Sequence, residues 1–271
     1  MVRTLPCHGR GRGFESHRFR HFYIMQHTPR LIVFGFKGKF AGYFLNNVFG
    51  NRDFFGIEKS YTPLTTQEKT TIQNASILLF CTPYLATQQL LNTVIPIVQP
   101  HHTLIDICSV KSNLYPLDKL PNCNIVSLHP LYSPNTPTKH KHCIQCNIQG
   151  TAPVPEIVEY FTIKHMTVEE HDNTMAVVQA GIHFQNYVTA HFLAKHRPTA
   201  ETNLYKALDT VIQQQLSQDT QMMMEIQLYN PYVKSIIASL ADSFAELQYA
   251  IQNNYPEGVQ HFIEQAKSIK V

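Results

Sequence analysis

The sequence predicts an α/β fold in which a doubly wound parallel sheet is followed by an all-α helical domain. Three observations carry this. Short apolar runs alternate with helical stretches from Leu31 to Leu128, the first run leads into a glycine-bearing turn, and beyond residue 169 the apolar residues recur at helical spacing.

Each element follows from local pattern. Leu31 to Phe34 reads as a strand, Gly35 to Gly42 as a turn, and Tyr43 to Phe49 can open a helix. In such a turn glycines let the backbone approach a pyrophosphate, which then sits at the positive end of the helix. Gly35, Gly38 and Ala41 give one extra residue between the first two positions of the usual GxGxxG/A pattern, and a register using Gly42 stays open. Phe54 to Glu58 reads as a second strand, ending in an acid 23 residues after Gly35. That spacing suits a carboxylate gripping ribose hydroxyls, which favours NAD over NADP. Ile77 to Phe80 is a buried strand before Thr82-Pro83, with a helix over Thr87 to Val98. Thr103 to Ile107 is the next strand, and Asn124 to Leu128 delivers His129-Pro130 to the same edge. Ligands bind at the carboxyl ends of parallel strands, so Thr82, Pro83, Asp106, Ser109 and Lys111 are expected to face one crevice in this Rossmann-like sheet.

Composition excludes several other classes. The 271 residues are 44% hydrophobic, enough for a sizeable core, and no uncharged apolar run approaches a membrane span. The formal charge of +3 arises in the first 24 residues, which hold five arginines against Glu15; the remainder has 17 basic and 18 acidic residues. Without a basic stripe there is no footprint for nucleic acid. Six cysteines in a chain this long do not make a disulfide framework, and a reducing cytoplasm is expected. Residues 1 to 24 lack apolar periodicity and are expected to be a disordered or non-native leader. Gly13-Phe14-Glu15-Ser16 is what the T-arm of a transfer-RNA gene yields when read as codons, so Met25 is the expected start. The domains are then 25–168 for the nucleotide-binding sheet and 169–271 for the helices.

In the second half, residues 173–195, 200–216, 219–229, 232–253 and 256–268 read as helices punctuated by Pro198, Pro231 and Pro256. Leu204, Leu208, Val211, Ile212 and Gln215 trace one face of the second. Ile236, Ile237, Leu240, Phe244, Leu247 and Ile251 trace one face of the fourth. Met222, Met223 and Met224 read as gap-filling core or interface residues. His140, His142, Cys143 and Cys146 include a Cys-x-x-Cys, but no second ligand pair follows and no metal site is expected.

Asp106-Ile-Cys-Ser-Val-Lys111, Ser127-Leu-His-Pro-Leu-Tyr-Ser-Pro134 and the run Thr167 to His183 are close to D-x-x-S-V-K, H-P-M-x-G-P and E-x-H-D-x-x-M-x-x-x-Q-x-x-x-H, in that order. With the glycine turn, these segments make the chain resemble the prephenate dehydrogenase family from about residue 30 onward. The resemblance implies NAD-dependent oxidative decarboxylation of prephenate to 4-hydroxyphenylpyruvate, in a homodimer closed by the helical domain and without a chorismate mutase domain. It implies His129 as acceptor of the substrate hydroxyl proton, with Ser109 and Lys111 beside it. His183 would contact a substrate carboxylate, with Gln179 on the same helix face and His171 and Lys206 as further substrate contacts. It also makes residues 143–147 a strand, with Cys143 and Cys146 on opposite faces.

The chain departs from the family at specific points. Arg197 is its only arginine after Arg52, and Lys206, Gln214 and Tyr232 stand where bifunctional relatives carry arginines; a lysine lacks the planar fork that grips a carboxylate. Ser133 replaces a glycine, while Glu225 to Pro231 matches a segment of other branches. Arogenate as substrate, or a catalytically silent NAD-binding homologue, therefore stay open.

Overall fold

The computed structural model describes residues 30–50, 52–58, 63–134, 141–196 and 198–268. The leader, Met25, Lys59, His140 and Arg197 lie outside the described residues. Seven strands form one sheet: β1 (Leu31–Phe34), β2 (Phe54–Ile57), β3 (Ile77–Phe80), β4 (Thr103–Asp106), β5 (Asn124–Pro130), β6 (His142–Gln149) and β7 (Thr162–His165). Their order is β2-β1-β3-β4-β5-β6-β7, parallel throughout except where β6 runs antiparallel to β5. From β1 the chain steps outward to β2 and then returns to the far side of β1 as β3. That reversal opens a crevice at the carboxyl ends of β1 and β3.

Alternation along each strand builds both faces of the core. Ile32, Phe34, Leu78, Phe80 and Leu104 join the face covered by α2 (Thr66–Gln73) and α3 (Tyr84–Val94). Leu31, Val33, Leu79, Ile105 and Val126 join the face covered by α1 (Lys39–Tyr43) and α4 (Pro155–Tyr160). A strand buried on both sides must be apolar at every position, which is why these runs read as continuous rather than alternating. Phe34 and Phe80 stack at 4.6 Å between centroids.

The helices α5 (Val168–Met175), α6 (Ile182–Lys195), α7 (Asn203–Leu216), α8 (Thr220–Tyr229), α9 (Val233–Gln252) and α10 (Pro256–Lys267) follow. The first expected helix starts five residues early because Thr167 and Glu170 form a reciprocal capping box. It also carries a π-helical turn, Ala176–Gly181, between α5 and α6. Both expected apolar stripes exist, yet this chain covers little of either. On α7 only Ile212 and Gln215 are buried, while Leu204 is 79% exposed; on α9 Phe244 and Ile251 are exposed. No helix among the described residues is long and apolar enough to cross a membrane.

Candidate active site

The glycine turn forms in the register Gly35, Gly38, Ala41. Gly35 has φ +73°, and a Cβ there would lie 2.6 Å from the Cys81 carbonyl, so only glycine fits. Gly38 N–H donates to Gly35 O at 2.9 Å, Ala41 is fully buried against the sheet, and Gly42 has open space around it. The alternative register through Gly42 is therefore not the one adopted. No side chain caps the first turn of α1 and no acid lies in it, which leaves its amides available to an anion between Lys37 and Lys39. Glu58 Oε1 accepts the Lys37 amide at 2.6 Å, fixing the acid at the lip of this turn. A methyl carbon of Thr82 would touch a Cβ on Gly35, so the turns after β1 and β3 meet in the crevice. Pro83 opens α3 beside them. These residues fit a dinucleotide: a close-approach turn, uncapped amides and a carboxylate at ribose distance along the chain.

Asp106 and Lys111 do not reach the crevice surface as expected. Both side chains are fully buried and pair at 3.2 Å. Asp106 also accepts from the Cys108 amide at 2.9 Å and the Tyr115 hydroxyl at 2.8 Å, while Lys111 Nζ donates to Leu128 O at 2.7 Å. With its oxygens so occupied, Asp106 is a structural anchor rather than a cofactor contact, and Lys111 ties β4 to β5 rather than handling substrate. A buried charge tolerates this position only when paired and hydrogen-bonded, as here. Ser109, half-buried, lies on the loop they hold.

His129 sits one residue from the end of β5, inside the strand rather than just after it. Its Nδ1 is 2.8 Å from His171 Nε2, and His171 Nδ1 is 2.7 Å from Asp172 Oδ1. His171 is completely buried with both nitrogens engaged, so it supports His129 and is not the substrate contact expected of it. Asp172 accepts the amides of Lys111 at 3.0 Å and Ser112 at 2.7 Å. Burial, then His171 and Lys111, holds His129 well below the ordinary histidine range. Burial likewise lowers His171, against the opposing pull of Asp172. Burial raises the Asp172 carboxyl, but bonds from His171 and Ser112 outweigh it and leave the group below its usual value.

Gln179 stands on the π turn and His183 just after it. Gln179 Oε1 and His183 Nδ1 are buried without a hydrogen-bond partner. An orphaned buried polar atom marks a place where a ligand group would complete the bonding. Irregular helical turns of this kind re-aim side chains and recur at functional sites. Lys206 instead stands exposed on α7, 3.7 Å from Glu201. Cys143 and Cys146 join different core clusters on opposite faces of β6 and do not converge.

Sequence reasoning missed Asp172, Tyr115 and Glu225. Asp172 follows His171 directly, and that adjacency was the available signal. Glu225 opens the Glu225 to Pro231 segment, which signalled the position but not its partner, and Tyr115 had no signal. Glu225, buried on α8, accepts the Tyr84 amide at 2.7 Å, and Asn230 Nδ2 donates to Asp172 O at 2.8 Å. Tyr84 stacks on Tyr229 at 5.2 Å and its hydroxyl donates to Ser112 O. The segment Glu225 to Pro231 thus clasps the helices onto the crevice loops.

Residues 61–141 match the family model described as prephenate dehydrogenase, nucleotide-binding domain. In this stretch the chain is similar to the prephenate dehydrogenase family. A probable arogenate/prephenate dehydrogenase of Methanocaldococcus jannaschii is 22% identical over 223 residues, covering 72% of this chain. This chain spans about half of that relative, 48% of its length. Among solved structures, prephenate dehydrogenase from A. aeolicus in complex with hydroxyphenyl propionate and NAD+ superposes with a TM-score of 0.63 at 17% identity, covering 88% of this chain and 95% of that one. Synechocystis arogenate dehydrogenase gives 0.59 at 14% identity, covering 88% and 97%. The prephenate dehydrogenase fold accounts for the sheet and the helices together.

Proposed function

We propose that this chain is a member of the prephenate dehydrogenase family and catalyses NAD-dependent oxidative decarboxylation of prephenate, or of its amino counterpart arogenate. The observation that carries the reading is His129: neutral, buried at the crevice end of β5, with Nδ1 engaged and no protein partner for Nε2 among the described residues. A neutral imidazole so placed accepts a proton from a substrate hydroxyl.

The glycine turn and the first-turn amides of α1 hold the pyrophosphate of NAD, and Glu58 takes the ribose hydroxyls, disfavouring the extra phosphate of NADP. When bound, NAD supplies a hydride acceptor at the crevice. His129 Nε2 takes the hydroxyl proton as the carbonyl forms at the carbon that loses hydride. The bond to the ring carboxylate then breaks, its electron pair enters the ring as carbon dioxide leaves, and the new oxygen regains a proton as a phenol. His183 donates to a substrate carboxylate through Nδ1–H, and Gln179 Oε1 accepts from a substrate hydroxyl. The uncovered faces of α7 and α9 suit a second copy of the chain, closing a homodimer. The setting is proposed to be cytoplasmic.

The test is NADH formation by the purified full chain with prephenate and with arogenate, using NAD and NADP in parallel. Tight NAD binding with no turnover of either substrate would instead make the chain a silent homologue, a reading favoured by the outward, Glu201-paired Lys206.

A further inference from the structure

We propose that Asp172 is a positioning residue for His129, acting through His171 to select the ring tautomer that leaves His129 Nε2 without its proton. The inference rests on the dehydrogenase reading for its consequence, though not for its geometry.

Hydrogen-bond direction propagates along the chain of three residues. The Asp172 carboxylate accepts two backbone amides, Lys111 on Oδ1 at 3.0 Å and Ser112 on Oδ2 at 2.7 Å. An acceptor-only group so engaged requires the nitrogen 2.7 Å from Oδ1, His171 Nδ1, to donate. Neutral His171 then has a lone pair on Nε2. The contact of 2.8 Å to His129 Nδ1 is a hydrogen bond only if His129 donates from Nδ1. A neutral ring with its proton on Nδ1 has a bare Nε2, the form that can accept a proton. The reverse tautomer would present an N–H where the substrate proton must arrive.

Asp172 is the charge that decides this. The other charged side chains around the pair are Lys111 and Asp106, buried together at 3.2 Å and neutralising one another. Lys111 also disfavours a positive charge on either ring. The same carboxylate pins the amides of residues 111 and 112, so one group sets both the ring and the loop bearing Ser109.

The experiment has two arms on the full chain. In the first, histidine side-chain nitrogen NMR of the unmutated protein at neutral pH reads the tautomers directly, with Nδ1–H expected for both His129 and His171. In the second, Asp172→Asn keeps the shape, and an oxygen at the Oδ2 position can accept both the Ser112 amide and the Lys111 amide, 2.7 and 3.2 Å away, so its amino group donates to His171 Nδ1. Every bond in the chain then reverses and His129 carries its proton on Nε2. Expected is a fall in kcat of about 10²- to 10⁴-fold, as when a catalytic imidazole is held in the wrong tautomer. KM and NAD affinity should change little, and raising the pH should not restore the rate. A proton on Nε2 of His129 in the unmutated protein overturns the proposal, as does an Asp172→Asn protein with parental kcat. If the variant does not fold, the first arm still decides. An unmutated protein that oxidises neither substrate sinks the functional reading, while its NMR spectrum still reports the tautomer.

Discussion

Glu225 accepts the backbone amide of Tyr84 at 2.7 Å across 141 positions of sequence, so a helix of the second half caps a helix of the sheet layer. The carboxylate is buried and sits where the α3 amides are unpaired and the helix dipole is positive, so removing its charge costs stability. Glu225→Gln is expected to lose roughly 0.5–2 kcal/mol, the range of a helix cap. Urea unfolding followed by circular dichroism checks this, and an unchanged midpoint would show the clasp to be dispensable.

Gly35 and Gly42 separate what the turn requires from what it tolerates. Gly35→Ala must hold φ at +73° and place Cβ 2.6 Å from the Cys81 carbonyl, so the protein should lose more than the ~1–2 kcal/mol of the left-handed backbone alone, together with NAD binding. Gly42→Ala lies in α1 with nothing within 4 Å of the new methyl, and should be neutral or gain about 0.5–1 kcal/mol. Thermal melts with and without NAD distinguish the pair.

For cofactor choice, Glu58→Ala removes both the ribose-directed carboxylate and the acceptor for the Lys37 amide. NAD affinity should fall about tenfold or more, the worth of one charged hydrogen bond, while NADP affinity falls less. Titration of cofactor fluorescence on both proteins measures it. Equal NAD and NADP affinities in the unmutated chain would remove the basis for this role.

His129→Asn should fold and bind NAD yet lose about 10²- to 10⁴-fold in turnover, with KM less affected. In the unmutated enzyme the rate should rise with pH through the ionisation of His129 and level off on the acid side of the ordinary histidine value, because burial lowers that ionisation. Stability follows the same sign. His129 and His171 are depressed on folding, so the unfolded chain binds more protons below about pH 6.5 and stability should fall as the solution is acidified. Urea midpoints at pH 7 and pH 5 test the direction.

Much of this arrangement was legible in the residues. The strands from Leu31 to Leu128, the Gly35–Gly38–Ala41 turn, Glu58 at the tip of β2 and His129 at the end of β5 follow from period, spacing and glycine placement. Gln179 and His183 share a face of a regular helix by their separation of four, and the π turn over Ala176–Gly181 intervenes in that spacing. The apolar stripes of α7 and α9 are also legible in the sequence. A stripe reports that a face needs covering, not what covers it, and here this chain covers little of either.

What the sequence by itself determined is whatever depends on neighbours a few residues away: backbone conformation, the alternation that buries both faces of the sheet, and the order in which motifs reach one edge. Only the tertiary structure decided where side chains at the strand ends turn. Asp106 and Lys111 turn inward to one another, and His171 turns under His129 to meet Asp172. The physical reason is that a polar group leaving water takes whichever partner the fold brings within about 3 Å. For Glu225 and Tyr84 that partner comes from the far half of the chain, and no local pattern encodes it.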